Sequence, residues 1–221
     1  IGLINVDFIQ DVSFSSGGFS TIYGDKLSSI MDITFREGNR SEFNGQLDLN
    51  FAGFGGVAEG PLFNQNGSWL FSARRSYLDL LVKAINIGTS VAPRYGDFQG
   101  KLVHNITPMH KVTLLGILGD DHNNPNRETA IENDMIVYGN QDIYEKTIGA
   151  NWRALWGKTG YSKSSVAYTS SKFTEDFNET STGNPVVNNR SFEQAFKFRN
   201  VNHFIFNSKS SLEFGVEAKH L

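Results

Sequence analysis

The sequence contains no cysteine, which excludes both a disulfide framework and a thiolate metal site. Proline is scarce, with 5 among 221 residues, and this suits long strands. The longest apolar run, at 114–118, is far shorter than the about 20 residues of a membrane-spanning helix. The 20 basic and 23 acidic side chains nearly balance. This balance argues against a nucleic-acid partner, because such proteins concentrate positive charge.

Sequence patterns typical of enzymes and metal proteins are also missing. The five histidines show no zinc-binding spacing, and no serine lies in a nucleophile-elbow motif. We interpret His110 as a turn residue and His122 as a loop residue. The loop at 120–128 is rich in oxygen donors but lacks the EF-hand pattern, which favours a hydrated loop over a calcium site. We therefore expect no enzyme activity, no metal and no cofactor.

Alternation of polar and apolar residues dominates the chain from Phe43 onward. This period of two is typical of strands that separate two unlike environments. Short turn-like links alternate with longer links at 82–96, 121–141 and 177–190. The glycine-rich stretch at 53–60 is interpreted as a tight turn between the first two strands. The pattern predicts nine antiparallel strands in up-and-down order, at 43–52, 56–63, 67–81, 97–107, 111–121, 141–157, 160–177, 190–206 and 209–221.

The alternation assigns the side chains of these strands to two faces. The apolar set is expected to face lipid: Leu47, Leu49, Phe51, Trp69, Phe71, Trp152, Trp156, Leu212, Phe214 and Val216. The polar set is expected to face the interior: Asp48, Arg74, Arg153, Glu213 and Glu217. Leu70 and Leu155 break the alternation. The segment 196–206 switches its apolar face midway, for which a β-bulge is our hypothesis.

A soluble β-sandwich would alternate in the same way. Two features favour a membrane barrel instead. Segments such as 141–157 are long compared with sandwich strands of about 5–6 residues. Aromatic residues also lie near strand ends, where membrane barrels carry aromatic girdles.

Residues 17–38 resemble the last part of the plug domain of TonB-dependent outer-membrane receptors. The shared pattern is Gly-Gly-x-Ser, then Tyr-Gly, a pair of serines, and an alternating strand that ends Thr-x-Arg-x-Gly. Its residues here are Gly17, Gly18, Ser20, Tyr23, Gly24, Ser28, Ser29, Ile30, Ile33, Thr34, Arg36 and Gly38. Residues 57–81 resemble the second strand, first periplasmic turn and third strand of that family, through Glu59, Gly60, Pro61, Leu62 and Arg74. Beyond residue 81 only a rhythm of strands and loops is shared.

The resemblance implies a mainly β protein: an antiparallel up-and-down transmembrane β-barrel segment with the end of an internal plug domain. Residues 1–40 are the expected plug part and residues 41–221 the expected first nine strands, in a bacterial outer membrane. The implied function is energised import of a scarce, unidentified solute. The implied partners are membrane lipid and, through upstream sequence, the inner-membrane TonB complex. We further expect Lys26, Arg36 and Glu37 to pair with interior charges such as Asp48, Arg74 and Glu217.

An odd count of nine strands leaves the barrel incomplete, because bacterial single-chain barrels have even counts. We expect the remainder of the barrel, or another chain, to lie along the free edges of 43–51 and 211–221. Two alternatives stay open, namely a small complete barrel with a structural or adhesive role and a soluble β-sandwich binding module.

The two expected faces give the first testable prediction. A lysine at Val216 is expected to destabilise the protein by about 2–4 kcal/mol, whereas a lysine at Glu217 is not, because only the first position faces lipid. Folding titrations in lipid vesicles measure both effects. Equal losses at the two positions would contradict the assignment of faces.

Overall fold

Eleven strands make up most of the chain in a computed structural model, which describes residues 4–20, 23–24, 28–50, 53–77 and 94–221. A 3-10 turn at Val6–Phe8 precedes two short strands, β1 (Ile9–Ser15) and β2 (Ile30–Phe35). The other strands are β3 (Asn44–Asn50), β4 (Gly53–Leu62), β5 (Gly67–Ser76), β6 (Arg94–Thr107), β7 (His110–Asn123), β8 (Val137–Leu155), β9 (Gly160–Glu179), β10 (Pro185–Asn207) and β11 (Ser210–His220).

Strands β3 to β11 form one antiparallel sheet in which every strand pairs with its neighbours in sequence. The predicted fold class and up-and-down order are therefore confirmed. A single sheet with no crossover is incompatible with a sandwich. Strands β3 and β11 lie at its two edges, and the described residues show no pairing between them.

The links at one end of the sheet are shorter than the sequence suggests. Strands β8, β9 and β10 have 19, 20 and 23 residues, whereas crossing a membrane takes about 9–11. The expected long links at 121–141 and 177–190 shrink to 124–136 and 180–184, since polar residues continue the strands. His110 and His122 thus lie within β7, not in a turn and a loop.

Helical structure is minor. The link at 124–136 contains one helix, α1 (Arg127–Glu132), whose first turn is capped by Asn126 Oδ1, which accepts from the Thr129 amide at 2.8 Å. In the described part of the chain, no helix has the length and apolar character needed to cross a membrane.

Strands β1 and β2 form a separate two-stranded antiparallel sheet and pair with no strand of the large one. The described residues of 4–40, called the N-terminal segment below, contact one face of the large sheet. That face, called the inner face, includes Val57, Leu70, Ser72 and Lys101. The opposite face is called the outer face.

The interpretation of 53–60 as a turn is wrong, because these residues form most of β4 and pair on both sides. One glycine of β4, Gly60, is needed for a steric reason. A Cβ atom at Gly60 would lie only 3.1–3.2 Å from ring atoms of Trp69. The glycine leaves room for the indole on the outer face.

No bulge lies where the apolar face of 196–206 switches. The register of β10 is continuous against β9 from Val187 to Phe204 and against β11 from Phe196 to Ile205, and it shifts against β11 between Ile205 and Asn207, next to the turn. The outer positions are simply asparagines at 200 and 202, and their side chains bond to one another and to two serines of β9. Ser162 donates to Asn202 (2.5 Å), Asn202 to Asn200 (2.5 Å), and Asn200 to Ser164 (2.8 Å).

The buried contact between the N-terminal segment and the sheet gives a stability prediction. Leu70 is fully buried beside Phe8 and Val57. We expect Leu70→Ala to lower the free energy of unfolding by about 2–5 kcal/mol, because it removes buried methyl groups and leaves a cavity. Urea unfolding in detergent micelles measures the change. Leu114→Ala on the outer face, where the side chain is 46% exposed, is the matched control and should cost less.

Candidate functional site: the junction of the N-terminal segment and the inner face

An apolar contact forms the centre of the junction. Phe8 is fully buried and packs with Val57 of β4 and Leu70 of β5, while Phe35 covers the cluster from β2. The rings of Phe8 and Phe35 meet edge to face, with centroids 6.0 Å apart. Burying side chains of this size contributes about 1.5–3 kcal/mol each. This cluster explains why Leu70 breaks the alternation of β5, since its position faces the N-terminal segment.

Arg36 links the N-terminal segment to the large sheet, called the wall below. Its Nε donates to the Asp7 carbonyl at 2.6 Å, and its Nη1 donates to the Glu59 carboxylate at 2.6 Å. Glu59 also accepts from the Asn39 amide at 2.9 Å. One carboxylate of β4 thereby fixes both the end of β2 and the chain that follows it.

Glu37 is the second charged contact. Its carboxylate pairs with Lys111 of β7 and, at 2.7 Å, with Arg40. Burial raises the pKa of Glu37, but the hydrogen bonds from Lys111 and Arg40 together outweigh burial and leave the pKa below its usual range. The carboxylate therefore stays ionised and holds the segment against β7.

Two further hydrogen bonds and one close approach join the wall to residues 5–8 and 35–40, which we call the base of the segment. Asn5 Nδ2 donates to Ser72 Oγ at 2.7 Å, and Lys101 Nζ donates to the Phe35 carbonyl at 2.5 Å. Gly38 lies so near the wall that a Cβ there would be 2.1 Å from the Trp69 carbonyl oxygen. Any other residue at this position would push the segment away from β5.

The N-terminal segment also contacts the large sheet through Tyr23. The Tyr23 hydroxyl donates to Asp32 within the segment at 2.8 Å, and this bond raises the pKa of Tyr23. The ring of Tyr23 lies 5.7 Å from the guanidinium of Arg199 on β10. Such a cation–π contact at an exposed site is worth about 0.5–1 kcal/mol.

The sequence identified the charged residues of the segment but not their partners. Arg36 and Glu37 bind Glu59 and Lys111, rather than Asp48, Arg74 or Glu217. Arg74 pairs with Asp97 at 2.8 Å, and Glu217 pairs with Lys197 at 2.8 Å, both within the wall. Lys26 lies outside the described residues. A lysine at position 217 would also replace the Glu217–Lys197 ion pair with two like charges. Glu217→Gln, which avoids this repulsion, therefore serves as a second control for the prediction on Val216.

The register places the predicted facing residues on two sides. Asp48, Arg74, Arg153, Glu213 and Glu217 lie on the inner face. The outer face carries Leu47, Leu49, Trp69, Phe71, Trp152, Leu212, Phe214 and Val216, and Trp156 follows β8 with its ring 6.2 Å from that of Phe204. Phe51 lies outside the described residues. That these faces meet lipid and an interior stays a prediction.

The glycine and serine positions of the motif play different parts. Gly18 has a φ of 63°, in the left-handed region that favours glycine. A Cβ at Gly17, Gly18 or Gly24 would meet no described atom within 4 Å, so among these four motif glycines Gly38 is the one that lies close to described backbone atoms. Ser28 and Ser29 are exposed just before β2.

Sequence reasoning missed Asn5, Phe8, Lys101 and Lys111. Their positions carry no local signal, because each contact joins residues more than 45 positions apart. The break of alternation at Leu70 was the one available sign.

On the outer face, His122 lies between Asp120 (3.3 Å) and Asp142 (2.5 Å). No group of three or more potential metal ligands is found among the described residues.

Comparison with known proteins supports the fold. No protein-family model matches the chain, and no curated protein matches it. The structure of the siderophore receptor PirA from Acinetobacter baumannii matches with a TM-score of 0.57 and 16% identity, over 87% of this chain and 31% of that one. A mutant of the ferric enterobactin receptor PfeA from Pseudomonas aeruginosa, in complex with enterobactin, matches with a TM-score of 0.62 and 16% identity, over 96% and 36%.

At this identity the likeness shows the fold alone. The chain spans about a third of the length of these receptors. The resemblance to outer-membrane receptors that was expected from residues 17–38 is confirmed at the level of the fold.

The lowered pKa of Glu37 gives a pH prediction. The ion pair contributes its full stability above the usual pKa of glutamate, and loses it as the pH falls through the lower value of the folded protein. We expect Glu37→Gln to cost about 0.5–1 kcal/mol at pH 7. The difference from the native protein should vanish in acid, where protonated Glu37 resembles glutamine.

Urea unfolding at a series of pH values measures this difference. Glu42→Gln is the matched control, since it removes the same charge from an exposed side chain nearby. A difference between native and Glu37→Gln protein that persists unchanged in acid would contradict the ion-pair role of Glu37.

Proposed function

We propose that this chain is a segment of a TonB-dependent outer-membrane receptor that imports a scarce solute. Residues 1–40 are assigned to the end of the plug and residues 41–221 to the first nine strands of the barrel. One observation carries the proposal: a separate hairpin sheet is seated by an apolar cluster and ion pairs on one face of a nine-stranded meander. This arrangement is the one expected for the end of a plug that lies against the inside of a barrel.

The outer face supports contact with lipid. Leu47 and Leu49 are 92% and 80% exposed, and Phe196, Phe214 and Val216 are more than half exposed. Soluble monomeric proteins rarely expose an apolar surface of this extent. In a bilayer the same surface is stabilised by hydrocarbon, and we assign the protein to the outer membrane of a bacterium.

The free edges of the sheet support a longer wall. An unpaired strand edge in hydrocarbon leaves backbone N–H and C=O groups unsatisfied, at several kcal/mol each. Strands β3 and β11 are the edge strands of the sheet. We infer that further strands, from the same protein or from another chain, pair along both edges.

The class of solute is inferred from the structural neighbours. They are named as receptors for a siderophore and for ferric enterobactin, and we propose an iron–siderophore complex for this protein. Energy from the TonB complex would reach the plug through sequence upstream of the segment.

The distribution of contacts suggests how the plug moves. The base of the segment is held by Phe8, Arg36 and Glu37. We infer that these contacts to β4, β5 and β7 must break before the plug can move away from the large sheet.

Uptake of radiolabelled ferric siderophore by cells that produce the whole receptor tests the proposal. Uptake should stop when a protonophore removes the proton-motive force. A disulfide between Asn5→Cys and Ser72→Cys, whose native side chains are joined by a hydrogen bond from Nδ2 to Oγ, should reduce uptake to background, and a reductant should restore it.

The matched control joins two wall residues, Ser162→Cys and Asn202→Cys, which are also in hydrogen-bond contact. This disulfide should leave uptake unchanged, because it does not involve the plug. Uptake that is insensitive to the protonophore would refute the importer. Normal uptake with the Asn5–Ser72 positions fully cross-linked would refute movement at the base of the segment.

A further inference from the structure

Three cationic side chains lie side by side on the inner face. Lys111 of β7 is directly opposite Arg153 of β8, and Arg153 is directly opposite Lys163 of β9. Directly paired residues of antiparallel strands have Cβ atoms about 4.5–5.5 Å apart, and like charges at such positions repel. We call Lys111, Arg153 and Lys163 the basic row.

The neighbouring inner positions that the structure describes on β7 to β9 carry no acidic side chain. The inner positions two residues away are Thr113 on β7, Asn151 and Leu155 on β8, and Tyr161 and Ser165 on β9, all of them neutral. Lys101 of β6 adds another cation near the same part of the junction.

In the described part of the chain, Lys111 is the one member of the row with an anionic partner, the Glu37 carboxylate of the N-terminal segment. Among the described residues, neither Arg153 nor Lys163 forms an ion pair. The Lys163 ammonium lies 5.2 Å above the ring of Tyr161, which is attractive but does not neutralise its charge. Arg153 Nε is buried and has no hydrogen-bond partner in the described part of the chain.

A row of solvated cations in a water-filled interior is the simplest alternative. Solvation accounts for the exposed Lys163, but not for the buried nitrogen of Arg153, because a buried donor without a partner costs about 1–3 kcal/mol. Repulsion within the row adds to this cost. Both costs disappear when an anion binds between the side chains.

We propose that the basic row is a binding site for a multivalent oxyanion, such as the phosphate group of a small solute. The planar guanidinium of Arg153 fits two oxygens at once, while the ammonium groups of Lys111 and Lys163 act as point charges on either side. The three Cα positions span only about 10 Å, so long side chains from adjacent strands reach one phosphate-sized ion.

The site is coupled to the plug through Lys111. An oxyanion and Glu37 compete for the same ammonium group, so binding of the anion weakens one contact at the base of the segment. Coupling of this kind is reciprocal, and removal of the Glu37 charge should strengthen anion binding.

Binding of inorganic pyrophosphate to the whole receptor in detergent micelles, measured by isothermal titration calorimetry at low ionic strength, tests the site. The double variant Arg153→Gln/Lys163→Gln should weaken binding at least about tenfold, because it removes two charge-assisted contacts. Glu37→Gln should strengthen binding severalfold. The control Lys146→Gln/Lys172→Gln removes equal charge from the outer face of the same two strands and should leave the affinity unchanged.

Three results would overturn the proposal. They are no measurable binding of pyrophosphate to the native protein, an equal loss in both double variants, and binding of an acidic hexapeptide but not of pyrophosphate. The last result would identify a protein partner instead of a small anion. Heat-dependent migration on gels confirms that each variant is folded. The measurement needs no energised transport, so failure of the importer and failure of the anion site are distinguishable.

Discussion

Arg36 makes the contact on which the arrangement of the two sheets depends. Its guanidinium bonds the carbonyl of Asp7, just before β1, and the carboxylate of Glu59 on β4. One side chain thus connects both ends of the small hairpin to the large sheet. With Phe8 buried beside it, this connection distinguishes the inner face from the outer face. The polar and charged groups on the inner face of β4 to β7 then have the N-terminal segment as a partner surface.

The strands and their two faces could be predicted because a period of two is a local property. Leu47 and Asp48, or Val216 and Glu217, reveal their opposite directions without reference to any other part of the chain. Partners could not be predicted in this way. Whether Arg36 meets Glu59 or Asp48 depends on how the hairpin sits on the sheet, and that position follows from contacts as distant as Phe8 with Leu70. Strand ends were misjudged because the polar sequences at 121–141 and 177–190 continue as paired strands beyond the apolar band.

The low identity to receptors of the same fold has a physical basis. A meander of strands requires only alternation and backbone pairing, which many sequences satisfy. The outer face tolerates even the hydrogen-bonded group of Ser162, Ser164, Asn200 and Asn202, since these polar side chains satisfy one another. Stricter demands arise where backbones come close. Gly38 is such a position, because it lies against the Trp69 carbonyl, whereas Gly60 on the outer face leaves room for the Trp69 ring. At the junction, Gly38 and the Arg36–Glu59 pair impose the strictest demands on the sequence.

The antiparallel pairing of β1 with β2 determines how the hairpin responds to mechanical force. Ile9 at the start of β1 is paired with Phe35 at the end of β2, directly beside the anchored Arg36. A pull on the chain at Asn5 is resisted by the Asn5–Ser72 hydrogen bond, by the burial of Phe8 and by the Arg36–Asp7 hydrogen bond. Once these contacts break, the load falls on the Ile9–Phe35 end of the ladder and breaks the pairs one after another, instead of shearing them together. The hairpin then extends at low force, while the pair of Arg36 with Glu59 keeps the end of β2 attached to the large sheet.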